Sequence, residues 1–387
     1  MKYLILIGDG MSGLPLKKLR GKTTLETART PHIDKLLARG LTGLVQNVPR
    51  GMAPGSDVAN MSIFGYDPRK FYSGRAPLEA AARGIPLGKN AVAFRCNLVA
   101  IARGKMQDFT AGHIETRTAQ KLIKKLNQQL GSARVKFYPG VSYRHLCVIQ
   151  RGPLAAKCTP PHDITGQAVK ACLPRGRQSE LLNKLMTDSQ AVLAGEKTAA
   201  TQIWLWGQGQ APALTPLTRK YQLSGAVITA VDLLKGLGIY AGLKPLRVKG
   251  VTGFLDTNYA GKARAAVQAL QKQDLVVVHV EPPDECGHMG RADLKIQAIE
   301  DFDKKIVAPI IQQLEEKHTA FRVLILPDHP TPISTKTHSG EPVPFVYYDS
   351  AKPRAPRPAK YSEKTAARTK LYIPHGHELL DKLYAGF

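Results

Sequence analysis

Tyr3-Leu4-Ile5-Leu6-Ile7-Gly8-Asp9-Gly10 is an unbroken apolar run that stops at a glycine–aspartate–glycine turn. Successive strand side chains point to opposite faces, so a run that is apolar at every position reads as a strand buried on both sides. Leu275 to Val280, closed by Glu281-Pro282-Pro283, repeats the pattern, and so does Val323 to Leu326, closed by Pro327-Asp328-His329. Each run is followed within a few residues by an aspartate. Open parallel sheets bind ligands just outside the carboxyl ends of their strands. Asp9, Asp284 and Asp328 are therefore expected to converge, although they are far apart in sequence.

Helical spacing fills the intervals. Thr30 to Gly40, Ala260 to Gln271 and Ile296 to Leu314 carry apolar residues at helical period; the last aligns Ile299, Phe302, Ile306, Ile310 and Leu314. Pro309 should kink or split that helix. Strands alternating with helices predict an α/β domain with a mostly parallel sheet flanked by helices. The middle reads differently. Short β-like runs (Val92 to Ala100, His145 to Gln150, Gln202 to Leu205) mix with helical stretches at Thr116 to Leu130, Ser179 to Leu193 and Ala230 to Leu237. A smaller α+β domain inserted into the first fits this pattern. The expected division is 1–85 and 251–387 for the parallel-sheet domain and 86–250 for the insertion. Lys352 to Lys370 is basic and carries three prolines, which predicts a surface excursion before a last helix, His377 to Tyr384.

Composition narrows the function classes. The chain has 387 residues, of which 43% are hydrophobic, ample for a sizeable core. The formal net charge of +25 favours anionic ligands. Lys and Arg are spread along the whole length with no RNA- or DNA-binding motif, which argues against nucleic acid as the partner. Five cysteines, an odd number without CxxC spacing, argue against a disulfide framework and a structural zinc site, so a reducing cytoplasm fits. The N-terminal run is too short for a signal-peptide core, and no stretch approaches the ~20 apolar residues of a membrane helix. A soluble protein is expected. Gly21-Lys22-Thr23 lacks the earlier glycine of a phosphate-binding loop, and Gly207-x-Gly209 lacks the third glycine of a dinucleotide fingerprint.

The chemistry-bearing residues follow the strand ends. Asp9, Asp284, His288, Asp328, His329 and His338 combine carboxylate with imidazole, a donor set for divalent metals. Any one of these histidines alone is more simply a core or surface residue; joint placement after buried strands favours ligands. Ser56 follows Pro54-Gly55 and precedes a helical pattern (Val58, Ala59, Met61, Ile63). It can be a plain N-cap, or a nucleophile held where helix amides favour a phosphate. A nearby metal would activate its hydroxyl.

Taken together, Gly8-Asp9-Gly10, Gly55-Ser56-Asp57-Val58, Asp284-x-x-Gly287-His288, Asp328-His329 and Thr337-His338 resemble the alkaline phosphatase superfamily. Longer stretches are similar to the archaeal-type branch of the cofactor-independent phosphoglycerate mutases. They are PGSDVANMSIFGYDPRKFYSGRAPLEAA (54–81), AFRCNL (93–98), FYPGVSYRHL (137–146), PPHDITGQ (160–167), WLWGQG (204–209), FLDTNYAGKA (254–263), HVEPPDECGH (279–288) and LPDHPTP (326–332). Only the basic tail after about Tyr347 is poorly matched. The resemblance implies an alkaline-phosphatase-like fold and two divalent ions, Mn²⁺ foremost with Zn²⁺, Co²⁺ and Mg²⁺ as alternatives, and no 2,3-bisphosphoglycerate. One ion would be held by Asp9, Ser56, Asp328 and His329, the other by Asp284, His288 and His338. It implies a glycolytic isomerase in which Ser56 takes the phosphoryl group of 3-phosphoglycerate and returns it to give 2-phosphoglycerate. Water would be excluded meanwhile by closure of the insertion. Arg75 in the metal domain, His113, Arg144, His145 and His162 in the insertion, and Lys262 after it are implied as substrate-binding groups. Asp163 is implied as the proton relay. A phosphomonoesterase, or a mutase of another phosphorylated hydroxy compound, shares the same metal core and stays open. No membrane partner is expected, and a homo-oligomer is compatible with the sequence.

Overall fold

The computed structural model describes residues 1–387. The chain forms two compact units, Met1–Tyr72 with Ala213–Phe387, and Ser73–Pro212. Both boundaries differ from the expected 86 and 250, for reasons visible in the packing. Helix Arg75–Ala82 sets Ala76 and Ala80 against Ala91 and Ala93 of the second unit's long strand, so Arg75 belongs to the second unit rather than to the metal domain. Strand Gly225–Ile228 pairs in parallel with Leu275–Val280, and this ties it and helix Asp232–Tyr240 to the first unit.

The first unit carries an eight-stranded sheet. Its order is Tyr372–Ile373, Leu41–Val45, Val343–Asp349, Phe321–Leu326, Lys2–Gly8, Leu275–Val280, Gly225–Ile228 and Lys244–Pro245. All strands run parallel except Val343–Asp349, which is antiparallel to both neighbours. The three strands read first from the sequence are central, adjacent and almost wholly buried. Ile33, Ala266, Ile299, Phe302, Ile310 and Leu314 bring their helices onto this sheet in one apolar core. Each fully buried aliphatic side chain contributes about 1.5–3 kcal/mol relative to exposure, which offsets the ordering cost of these strands.

The expected kink at Pro309 takes another form. The helix runs Ala292–Phe302, widens into a single π turn at Asp303–Val307, and resumes at Ala308–Glu316 with Pro309 in its first turn. The wide turn meets proline's missing N–H at no loss of continuity. It also frees Asp303, whose carboxylate accepts the amides of His32 (3.2 Å) and Ile33 (2.8 Å) at the start of helix Pro31–Ala38. The basic tail is an excursion only over residues 351–358. Tyr361 then dives into the core, donating its hydroxyl to Pro344 O at 2.8 Å, and Glu363 accepts from Ser12, Gly13 and Thr23.

The second unit is α+β. Strand Ala91–Ala102 pairs antiparallel with Lys105–Asp108, Arg144–Gln150 and Gln202–Gly209, and Val135–Val141 extends the sheet beyond Arg144–Gln150. Helices Thr116–Leu130 and Ser179–Leu193 cover the Phe94–Cys96–Cys147 face, and helix Arg75–Ala82 covers part of the other. No helix of the chain is long and apolar enough to cross a membrane.

Candidate active site

Strand register brings the acidic residues together. Gly8 lies opposite Val280 and Ile7 opposite Leu326, so the three following turns start at one level of the sheet. Gly10 is obligatory in that turn. Its φ is +57°, and a Cβ there would meet Asp284 Oδ1 and Thr331 Oγ1 at 2.5 Å. Gly10 N and His329 N both donate to Asp328 Oδ1, at 3.0 and 2.8 Å, and Asn60 Nδ2 donates to Oδ2 at 2.8 Å.

Ser56 is not an N-cap. Gly55, in extended backbone, caps helix Ser56–Ile63, and Ser56 is its first helical residue with no side-chain cap. Its Oγ lies 3.1 Å from His329 Nε2. Asn60, one turn on, also donates to Ser56 O at 2.8 Å, so a single amide fixes both the helix start and Asp328. Sequence reading passed over Asn60; its i+4 spacing from Ser56 was the available signal.

Asp284 and His288 are four apart on the short helix Pro282–His288 and therefore share a face. His288 Nε2 is 3.1 Å from Asp284 Oδ2 and 3.0 Å from His338 Nε2, while its Nδ1 meets Lys336 O at 2.9 Å. That backing orients the ring as a metal-binding imidazole requires. Thr331, also unforeseen, donates to Asp284 Oδ1 and lies 3.3 Å from His329 Nδ1. Asp9 bridges the groups. Its Oδ1 is 3.6 Å from His329 Nε2, and its Oδ2 is 3.2 Å from His279 Nε2.

The residues fit divalent cations. Three donor trios each have their ligand atoms within 4.8 Å of one another: Asp284–His288–His338, Asp9–Asp284–His329 and Asp9–His279–Asp328. Burial, then the charges of Asp328 and Asp284, raise the Asp9 carboxyl well above its ordinary value. Carboxylates crowded out of water call for a cation between them. Asp9 Oδ1 and His279 Nε2 are buried without a hydrogen-bond partner. Burial lowers the proton affinity of His279, but Asp9 and Glu281 outweigh it and hold the imidazole at about 10. A positive ring and a divalent ion are two ways to satisfy the same oxygens.

Lys262 does not face a ligand space. It is fully buried, and its ammonium donates to Glu281 Oε2 at 2.5 Å and His279 O at 2.8 Å. Its place is behind the site, which sets aside the expected phosphate contact.

In the second unit, strand alternation separates two neighbouring candidates. Arg144 is exposed and pairs across the strand with Asn97, whereas His145 turns to the helix-covered face beside Cys96. There His145 is 2% exposed and accepts Gly140 N at 2.8 Å; burial, then Arg83, lowers it to about 3. It is a core histidine, not a ligand-facing one. The other candidates gather around an aromatic cluster. His162 packs edge-on to Trp206 and Phe109, and His113 to Tyr143. Arg144 lies over Tyr143, and Arg95 over Trp206 at 4.3 Å while pairing with Glu79 at 3.1 Å. Arg75 and Arg144 both press the Arg95 guanidinium's proton affinity down, after burial, and Arg75 and Arg95 do the same to His162. Asp163 is exposed, 3.5 Å from His162 Nε2. Arg95 was not singled out from sequence, although an arginine among the apolar residues of a strand is the kind of residue that needs a reason.

Comparison with known proteins follows the same direction. A family model for 2,3-bisphosphoglycerate-independent phosphoglycerate mutase matches residues 38–198. The protein of that name from Methanosarcina barkeri is 49% identical over 392 residues, covering 98% of either chain. A solved structure from Pyrococcus horikoshii shares the fold at TM-score 0.83 and 28% identity, covering 99% of this chain and 97% of that one. The cofactor-independent phosphoglycerate mutase of Thermoplasma acidophilum superposes at TM-score 0.68 with 22% identity, covering 99% of this chain and all of its own, and bears on the fold alone. Identity near one half along the full length places the chain in the 2,3-bisphosphoglycerate-independent phosphoglycerate mutase family of isomerases.

Proposed function

We propose that the chain interconverts 3-phosphoglycerate and 2-phosphoglycerate by passing the phosphoryl group through Ser56. The observation that carries the reading is the position of Ser56: first in its helix, half-buried, and 3.1 Å from His329 at the edge of the Asp9–Asp284–Asp328 convergence. Asp9, Ser56, Asp328 and His329 are the residues to hold one divalent ion, and Asp284, His288 and His338 the other. Mn²⁺ suits the mixed oxygen and nitrogen donors. When bound, such ions neutralise phosphoryl charge and lower the pKa of the serine hydroxyl.

The residues' own parts follow. Ser56 Oγ loses its proton and bonds to phosphorus as the bond from phosphorus to the substrate's 3-oxygen breaks; that oxygen takes up a proton. The 2-hydroxyl then loses its proton and bonds to phosphorus as the phosphorus–Oγ bond breaks, and Oγ regains a proton. Asn60 holds Ser56 and Asp328 in register throughout. Arg75, Arg95, Arg144, His113 and His162 offer cationic and hydrogen-bonding groups that suit a carboxylate and a phosphate. Asp163 is the exposed carboxylate able to accept a proton and return it. Glycolysis and the cytoplasm are the setting such a reaction fits.

The test is direct. Metal-loaded protein given 3-phosphoglycerate should form 2-phosphoglycerate with little free phosphate, and rapid quenching should trap phosphoserine at Ser56. Ser56→Ala should lose both by several orders of magnitude. Free phosphate as the main product would make the chain a phosphomonoesterase instead.

A further inference from the structure

A row of buried polar groups lies behind Asp9. Strand Leu275–Val280 is wholly buried, and His279 is its one residue that is not aliphatic. An imidazole enclosed between strands costs free energy unless its nitrogens find partners. One does: Nδ1 lies 3.3 Å from Glu281 Oε1 and 3.3 Å from Thr229 Oγ1. Glu281 is itself fixed by Lys262 (2.5 Å), Ala230 N (2.6 Å) and Thr229 (3.0 Å). The other nitrogen is left open. Nε2 stands 3.2 Å from Asp9 Oδ2 and 4.0 Å from Asp328 Oδ2, yet makes no well-formed hydrogen bond, and Asp9 Oδ1 is equally without a partner.

Metal-binding histidines present one nitrogen to the ion and give the other N–H to a carboxylate or carbonyl behind. His288 shows that arrangement, with Lys336 O behind and Asp284 in front. His279 shows it too, with Glu281 behind and Asp9 and Asp328 in front. We propose that His279, through Nε2, is a fifth protein ligand of the ion assigned to Asp9, Ser56, Asp328 and His329, with Glu281 and Lys262 as its fixed backing. The inference rests on the two-ion reading above. Five protein donors exceed the tetrahedral four that zinc usually takes, so His279 tilts this site toward Mn²⁺ or Co²⁺.

Two measurements test it. X-ray absorption on wild-type protein carrying two equivalents of Co²⁺ counts imidazoles: His279, His288, His329 and His338 make four for two ions, and a count of three overturns the proposal. Equilibrium dialysis with Mn²⁺ then compares His279→Ala and His279→Gln with wild type. Both should weaken one site by more than the roughly 10–100-fold that loss of an outer partner costs, and leave the other site unchanged. Variants whose metal-free melting matches wild type but which bind both ions normally would overturn it. So would a third ion bound by wild type and missing from the variants, since His279 would then serve a site of its own. If wild type binds fewer than two ions, the two-ion reading itself fails, which is a different result.

Discussion

The first unit places its polar residues at the ends of strands buried on both faces, and nearly every donor is held by a second group: Asp328 by Gly10, His329 and Asn60, His288 by Lys336, Asp284 by Thr331. The second unit sets its candidates on an open sheet face and on loops. His113 adopts φ 50° in a turn, and Arg144, His113, His162 and Asp163 are exposed. The difference is one of preorganisation. A buried, cross-braced cluster suits ions, whose ligand distances tolerate little error. An exposed cationic face with aromatic sides suits anions that must arrive, turn over and leave.

That contrast can be broken or sharpened in three ways, beginning with the largest effect. Chelation should abolish isomerisation and lower the melting temperature, with Mn²⁺ restoring both. At a hundredfold excess over its dissociation constant, an ion that binds only the folded state adds about 2.7 kcal/mol per site. Unchanged melting after verified metal removal would show that the bracing alone keeps the cluster in place. Next, Arg144→Ala should raise KM about tenfold, the loss of roughly 1.4 kcal/mol expected for one charged hydrogen bond, without moving the melting temperature. A fall in melting temperature of several degrees would show that the open face is structural after all.

The third test concerns pH. His145 is held neutral, with its proton affinity lowered from 6.5 to about 3, whereas in the unfolded chain it takes a proton near 6.5. The unfolded state therefore binds more protons between those values. The stability this group contributes is present above pH 6.5 and is lost as pH falls toward 3. His145→Asn, which can still accept Gly140 N–H, should flatten that part of a melting-temperature profile. An identical profile would mean that the loss comes from other groups.

Much of this contrast was visible in the sequence. Continuous apolar runs ending in aspartate located Asp9, Asp284 and Asp328, because a doubly covered strand leaves its chemistry nowhere to go but its end. His279 was hidden by the same rule: inside an apolar run it reads as one more core position. Lys262 was expected at the substrate on the strength of the family resemblance, and nothing local announced Glu281 as its partner. In the second unit, Arg144 and His145 read as a pair, yet the two-residue period of a strand sends them to opposite faces. The domain boundary moved because the pairing of Gly225–Ile228 with Leu275–Val280 joins residues fifty apart, which no local window can see.

The place of the first strand has a consequence for how the chain is made. Lys2–Gly8 is synthesised long before its two neighbours in the sheet, Leu275–Val280 and Phe321–Leu326, and the Gly10–Asp328 hydrogen bond spans 318 positions. Ser73–Pro212 is contiguous and can complete its contacts as it emerges. The sheet of the first unit cannot close until Phe321–Leu326 has been made, so one of its most apolar segments waits until then without both neighbours. Loop-closure entropy makes such distant pairings slow, and exposed apolar strands aggregate. The same central strand that brings the three acidic turns together is one whose partners arrive late.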